Sequence, residues 1–179
     1  EKSPITIELV KKLGLIHYYD TYEMRRFNLT NLAHSKRSEI VKADIKDRDN
    51  VYEVLCDSFA KNLETSIPDA ETWKKGFLKS PKSHFYLWCS NGETLGFASL
   101  FEGDNGGETE VRNIGVLPAA RGKGIGNHLL SHCLQQSFEL GYQSCHLTVA
   151  VTNQKALGLY LRSGFEITEK HQCFRIPLR

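Results

Sequence analysis

No stretch of this sequence stays apolar long enough to span a bilayer as a helix, so helical membrane classes are excluded and no membrane partner is expected. Charge of one sign is missing too. With 23 Lys and Arg against 21 Asp and Glu, the formal net charge is +2 and the cations are mixed among acids, which argues against a dedicated nucleic-acid surface. The five cysteines, Cys56, Cys89, Cys133, Cys145 and Cys173, are odd in number, widely spaced and free of any CxxC pair. Scattered thiols of this kind suit a reducing compartment rather than a disulfide frame or a zinc site, and the cytoplasm is the expected location. No signal-peptide pattern opens the chain. A Walker A loop is absent as well. A dinucleotide fingerprint fails on detail, because its third glycine position falls on Asn127 and residues 149–153 carry no carboxylate.

What is present fits one well-buried domain: 179 residues, 40% apolar and 25% charged. From Ser38 onward the pattern predicts a strand over 39–43 and a helix over 46–59, with Val51, Val54, Leu55 and Phe59 on one face. A second helix follows over 69–79, with Asp69 at its cap and Pro81 closing it. Strands over 84–89 and 94–102 flank Asn91-Gly92, a hairpin signal, and a turn at Asp104-Asn105-Gly106-Gly107 leads into a strand over 108–117. A long helix then runs to about Leu140, with Leu129, Leu130, Cys133, Leu134 and Phe138 on its buried stripe and Gly141 ending it. After it come a strand over 143–151, a helix over 153–162, and two last strands over 164–168 and 172–178. The order implies an α/β fold: a mixed, mostly antiparallel sheet with helices on both faces.

Residues 1–35 stand outside this scheme, and the domain proper is read as 36–179. Yet the stretch beginning at Ile7 resembles the one beginning at Leu157 when Gly14 is laid on Gly164. Leu9, Gly14 and Arg25 then meet Leu159, Gly164 and Arg175. Two readings stand: the tail of a preceding domain of the same kind, or a coincidental helix-strand likeness in an N-terminal extension.

Three glycines in five positions, Gly122, Gly124 and Gly126, would weaken the helix they introduce. Amides at a helix start lack intrahelical partners and sit at the positive end of the dipole, so glycines there admit a phosphate. A close helix-sheet contact without ligand is the plainer alternative.

Arg121-Gly122-Lys123-Gly124-Ile125-Gly126, preceded by Ile114-Gly115-Val116-x-Pro118, resembles the acyl-CoA signature of the GNAT N-acetyltransferase superfamily. Asn153-x-x-Ala156-x-x-x-Tyr160-x-x-x-Gly164-Phe165 resembles its second signature. The resemblance covers residues 38–178. It implies splayed central strands and acetyl-CoA as cosubstrate, with the diphosphate on the amides of Gly122 to Gly126, including those of Lys123 and Ile125. Arg121 and Lys123 add positive charge. The pantetheine arm would pair with the backbone at Ile114 and Val116, and Asn153 would hold it from the other side. Amides near Gly115 and Val116 would polarise the thioester carbonyl.

Acyl transfer to an amine needs a base for the ammonium and an acid for the leaving thiolate. The resemblance makes Tyr160 the acid, since it lies two helical turns from Asn153 on nearly the same face. Glu110 is the expected base: the strand's period of two puts Glu110, Arg112, Ile114 and Val116 on one face, where burial beside the acyl group would strengthen it. A solvated carboxylate paired with Arg112 is the plainer reading, with Glu108 or a water chain as substitutes. No cysteine matches a nucleophile position, so direct attack in a ternary complex is expected.

His128 and His132 have helical i,i+4 spacing but no third ligand, and they read as a surface pair; no metal is expected. Trp73, Phe77, Phe85 and Trp88 read as acceptor-pocket lining or core. The expected function is acetyl transfer to a primary amine of a small molecule or peptide; the alternative is a non-catalytic acyl-CoA sensor. A homodimer is the remaining partner expectation.

Overall fold

Asn91 and Gly92 both take left-handed backbone, φ 52° and 81°, and close the predicted hairpin between strands Ser83–Ser90 and Glu93–Glu102. The computed structural model describes residues 7–30, 37–62, 67–103 and 107–176. Along the chain run helix α1 (Ile7–Lys12), strands β1 (Ile16–Arg26) and β2 (Ile40–Lys42), helices α2 (Arg48–Phe59) and α3 (Ala70–Gly76), then strands β3 (Ser83–Ser90), β4 (Glu93–Glu102) and β5 (Thr109–Val116). Helix α4 (Ile125–Glu139), strand β6 (Cys145–Ala150), helix α5 (Gln154–Arg162) and strand β7 (Glu166–Arg175) complete the fold. The strands form one sheet in the order β2-β3-β4-β5-β6-β1-β7, antiparallel throughout except where β5 meets β6.

Each face of the sheet has its own core. On one side Leu129, Leu130, Cys133 and Leu134 of α4 pack on Leu100, Val111, Leu147 and Met24. On the other, Val51, Val54 and Leu55 of α2 and Phe77 pack on Phe85, Leu87 and Phe97. Each fully buried Leu or Phe contributes about 1.5–3 kcal/mol. Trp73, Phe77 and Phe85 meet one another in tilted and edge-on contacts within this second core, and Trp88 lies in the first, so these aromatics are packing residues.

Several expectations are corrected. Residues 16–26 are not outside the sheet but lie within it between β6 and β7, with Met24 fully buried. The last two predicted strands are one, because β7 pairs with β1 almost throughout and the polar stretch Thr168 to His171 does not turn. The helix predicted over 46–59 starts as a 3-10 turn, Ile45–Asp47, capped reciprocally by Asp44 and Asp47. The second helix ends at Gly76, because Phe77 is extended and Leu78 is left-handed (φ 51°). Phe138 is 45% exposed; the buried stripe of α4 passes through Ser137, whose hydroxyl donates to the Cys133 carbonyl and meets Thr109 Oγ1 at 2.7 Å. Gly141, at φ 92°, ends α4 as expected. The turn expected at 104–107 lies mostly outside the described residues. Among those described, no helix is long and apolar enough to cross a membrane.

Candidate active site

Strand β5 carries one residue more than β4 can match. Ser99 faces Asn113 and Leu100 faces Val111, so Arg112 is a bulge. Thr109 and Val111 before it, and Ile114 and Val116 after it, all face α4: Val111 joins the α4 core, and the Cγ2 atoms of Ile114 and Val116 lie 3.9 Å from where a Cβ on Gly126 would stand. Glu110 is on the opposite face. It pairs with Phe101 across β4; the Arg112 guanidinium lies 3.9 Å over that ring, and its Nε donates to Glu110 Oε2 at 2.7 Å. The shared face expected for Glu110, Ile114 and Val116 is therefore wrong, because the period of two restarts at the bulge.

Beyond Glu110 the strand parts from its other neighbour. Parallel pairing of β5 with β6 covers Thr109 with Cys145 and Glu110 with His146 and then stops. Leu117 N donates to Leu95 O at 2.9 Å, so by the antiparallel alternation the peptide groups of Gly115 also face β4, while those of Ile114 and Val116 face the gap. Gly115, expected among the thioester-facing amides, instead serves the ladder. It must be glycine: a Cβ there would lie 2.5 Å from the Phe97 ring and 3.0 Å from Ser58 Oγ.

Above the gap, Pro118–Ala120 forms a 3-10 turn, and Gly122 (φ 81°) and Gly124 (φ 78°) carry the chain into α4. An L-residue with a side chain would be strained by about 1–2 kcal/mol in that conformation. His128 N donates to Gly124 O, the helix's first rung, so the amides of Ile125, Gly126 and Asn127 have no intrahelical acceptor. Ile125 buries its side chain beneath them, fixing where they point. Gly122, Lys123 and Gly124 are exposed, so the turn is open. Arg121, expected to face a phosphate, acts as a clip: its Nε donates to Val116 O (3.1 Å) and its Nη2 to Ser58 O (2.8 Å), joining β5 to the end of α2. Lys123 remains the exposed cation of the loop.

A cleft of about 1180 Å³ runs from this turn to α5, lined by Ile114, Val116, Gly124, Gly126, Asn153 and Tyr160 among others. Asn153 caps α5, its Oδ1 accepting from Ala156 N at 3.2 Å, which leaves its amide NH₂ as the group available to a ligand. Tyr160 packs at 5.9 Å against Phe165, and burial, with the Cys133 thiol nearby, pushes its pKa up to about 12. It therefore keeps its proton across the physiological range. Open first-turn amides, a strand edge facing a gap and a cleft joining them suit an acyl-CoA: diphosphate on the amides, arm along β5.

The sheet face away from α4 carries a set of charges that sequence reasoning missed in part. Glu110 is 29% exposed, so it lacks the desolvated setting expected for it. Glu108 Oε1 lies 3.2 Å from Arg25 Nη2 and 3.4 Å from His146 Nδ1, and Arg25 also donates to Glu23 at 2.7 Å. Arg25 and His146 face each other across β1 and β6. No local signal brings them together, since only the insertion of β1 does so. Among the described residues, one group has metal-ligand spacing: Glu23, Glu169 and His171. Glu23 is already engaged by Arg25 there. His128 and His132 are not a surface pair: His128 stacks on Trp88 at 5.4 Å and His132 meets Tyr86 edge-on at 4.5 Å.

A model of the Acetyltransferase (GNAT) family matches residues 48–165. The chain is 29% identical over 135 residues to the aminoalkylphosphonate N-acetyltransferase of Salmonella typhimurium, covering 72% of this chain and 84% of that one. Among solved structures it resembles a GCN5-related N-acetyltransferase from Sphaerobacter thermophilus, with TM-score 0.73 and 20% identity, over 96% of this chain but only 56% of the other. An aminoglycoside N-acetyltransferase solved with CoA matches with TM-score 0.64 and 15% identity, over 80% of this chain and 97% of its own.

Proposed function

The chain belongs to the GNAT acetyltransferase family, and we propose that it moves an acetyl group from acetyl-CoA to a primary amine of a small molecule or peptide, by direct attack within a ternary complex. The observation that carries this reading is the parting of β5 and β6 beside an open glycine turn. When bound, acetyl-CoA supplies the activated acyl group. The amides of Ile125, Gly126 and Asn127 hold its diphosphate, with Lys123 as the nearby cation, and the Ile114 peptide edge and the Val116 N–H are offered to the arm, the Val116 carbonyl being held by Arg121.

Two proton transfers then fall to this chain's side chains. The amine approaches from the face away from α4, where Glu110 takes its proton. Tyr160, on the opposite side of the gap and still protonated, gives its own proton to the departing sulfur. Glu110 keeps its ion pair with Arg112 until the ammonium competes for the carboxylate. The surplus of acids on that face, Glu23, Glu108 and Glu110 beside Arg25 and Arg112, favours a cationic acceptor. The similarity to an aminoalkylphosphonate N-acetyltransferase supports a small molecule.

The test is free-thiol release from acetyl-CoA with a panel of amines, alongside calorimetric titration of CoA. Thiol release with at least one amine is expected. CoA binding with no release across the panel would replace the enzyme by an acyl-CoA sensor, and no binding at all would remove both.

A further inference from the structure

The likeness between the two helix-strand stretches extends to how they pair. With Gly14 laid on Gly164, helix α1 falls on the last residues of α5 and β1 falls on β7. Both glycines take the left-handed conformation, φ 64° and 79°. The two strands lie side by side, and Thr21 faces His171, its own counterpart. Around that pair, Asp20 faces Gln172 while Tyr22 faces Lys170, and Tyr19 faces Cys173 while Glu23 faces Glu169. Each of these pairs is the image of the other under the exchange of the two strands.

The irregularities obey the same exchange. Register shifts fall between His17 and Tyr19 and between Glu23 and Met24, so that Tyr18 and Thr168 are skipped, and these two are counterparts. Beyond the shifts, His17 with Phe174 mirrors Met24 with Ile167, and Ile16 with Arg175 mirrors Arg25 with Glu166. A coincidental likeness would not reproduce both bulges. A two-fold axis between like elements of two like domains does.

That symmetry makes a demand on the sheet edge. The inner edge of β1 is paired with β6, Tyr22 facing Val149, whereas the corresponding edge of β7 ends the sheet. Val151 N donates to Asp20 O, so the peptide groups of Asp20 and Tyr22 face β6. Their counterparts, Lys170 and Gln172, therefore direct theirs to the open edge. Met24 is fully buried in the core beneath β6, while its counterpart Phe174 is only half-buried. Ile167 and Ile176, at the two ends of β7, are also exposed. Solved structures divide accordingly. The Sphaerobacter thermophilus structure matches 96% of this chain, which must include part of β1, and is a much longer chain, whereas the aminoglycoside N-acetyltransferase is covered to 97% and aligns with only 80% of this chain.

We propose that the free edge of β7 is the docking edge for a second domain of the same fold, joined upstream in the same polypeptide, whose last helix and strand are residues 7–26. The counterpart of β6 in that domain pairs with Lys170 and Gln172, so that one sheet runs through both domains, and Phe174 enters the second domain's core as Met24 enters this one's.

Residue-resolved amide exchange on the full-length gene product tests this. An edge strand shows alternation: His171 and Cys173, bonded to β1, exchange slowly, and Lys170 and Gln172 exchange quickly. Docking predicts that the alternation disappears, with Lys170 and Gln172 slowed by roughly 10³-fold to match their neighbours. A full-length product without such a domain, or one that has it and still shows fast exchange at Lys170 and Gln172, would overturn the proposal.

Discussion

The two sides of β5 are built from different materials. Toward α4 the chain presents mostly backbone: first-turn amides, left-handed glycines and a strand edge facing a gap, with few polar side chains, Asn153 and Tyr160 among them. Away from α4 it presents side chains drawn from several strands, Glu110 from β5, His146 from β6, Arg25 and Glu23 from β1. A backbone site binds what every family member must bind, because it depends on conformation rather than residue identity. A side-chain site can be re-specified one position at a time, and it is where acceptor choice would reside.

The sharpest way to break this contrast is to remove each proton handler. Tyr160→Phe is expected to lower kcat by about 10²-fold, and Glu110→Gln by a comparable factor, each with CoA affinity unchanged by calorimetry. If Glu108→Gln lowers kcat and Glu110→Gln does not, the base belongs to Glu108. Next in size is Gly115→Ala, which forces a methyl into the Phe97 ring and should cost about 2 kcal/mol in urea denaturation. Gly124→Ala tests the backbone side alone: strain of about 1–2 kcal/mol at its positive φ should weaken CoA by roughly tenfold and leave the acceptor KM alone. The smallest effect is confined to alkaline solution. Because the Tyr160 pKa is raised in the folded state, its contribution is complete below the ordinary tyrosine range near 10 and is lost as pH rises toward 12. Thermal unfolding of wild type should therefore fall faster over that range than that of Tyr160→Phe.

The same division explains what could be read from the sequence. The glycine turn, the hairpin at Asn91-Gly92 and the cap at Asn153 are local, and short-range residue chemistry specifies them. The placement of β1 is not local. Its alternation resembles that of any half-buried strand, and only pairing with β6 and β7 gives it a place, so Arg25 and His146 could not be matched beforehand. Arg121 misled for a related reason: its spacing fits a phosphate, yet the carbonyls of Val116 and Ser58, brought together by folding, claim it first. Glu110 was assigned to the wrong face by one residue that no periodicity reveals.

That extra residue, Arg112, acts as a parity bit for the strand. Deleting it would leave Val111 opposite Leu100 and Glu110 opposite Phe101, as they already pair, and regular alternation would keep Glu110 on the face away from α4, whereas losing a second residue between Glu110 and Ile114 would turn Glu110 toward that helix. Removal of the bulge alone should thus keep Glu110 in place, and removal of one residue more should silence turnover, however conservative the residues removed.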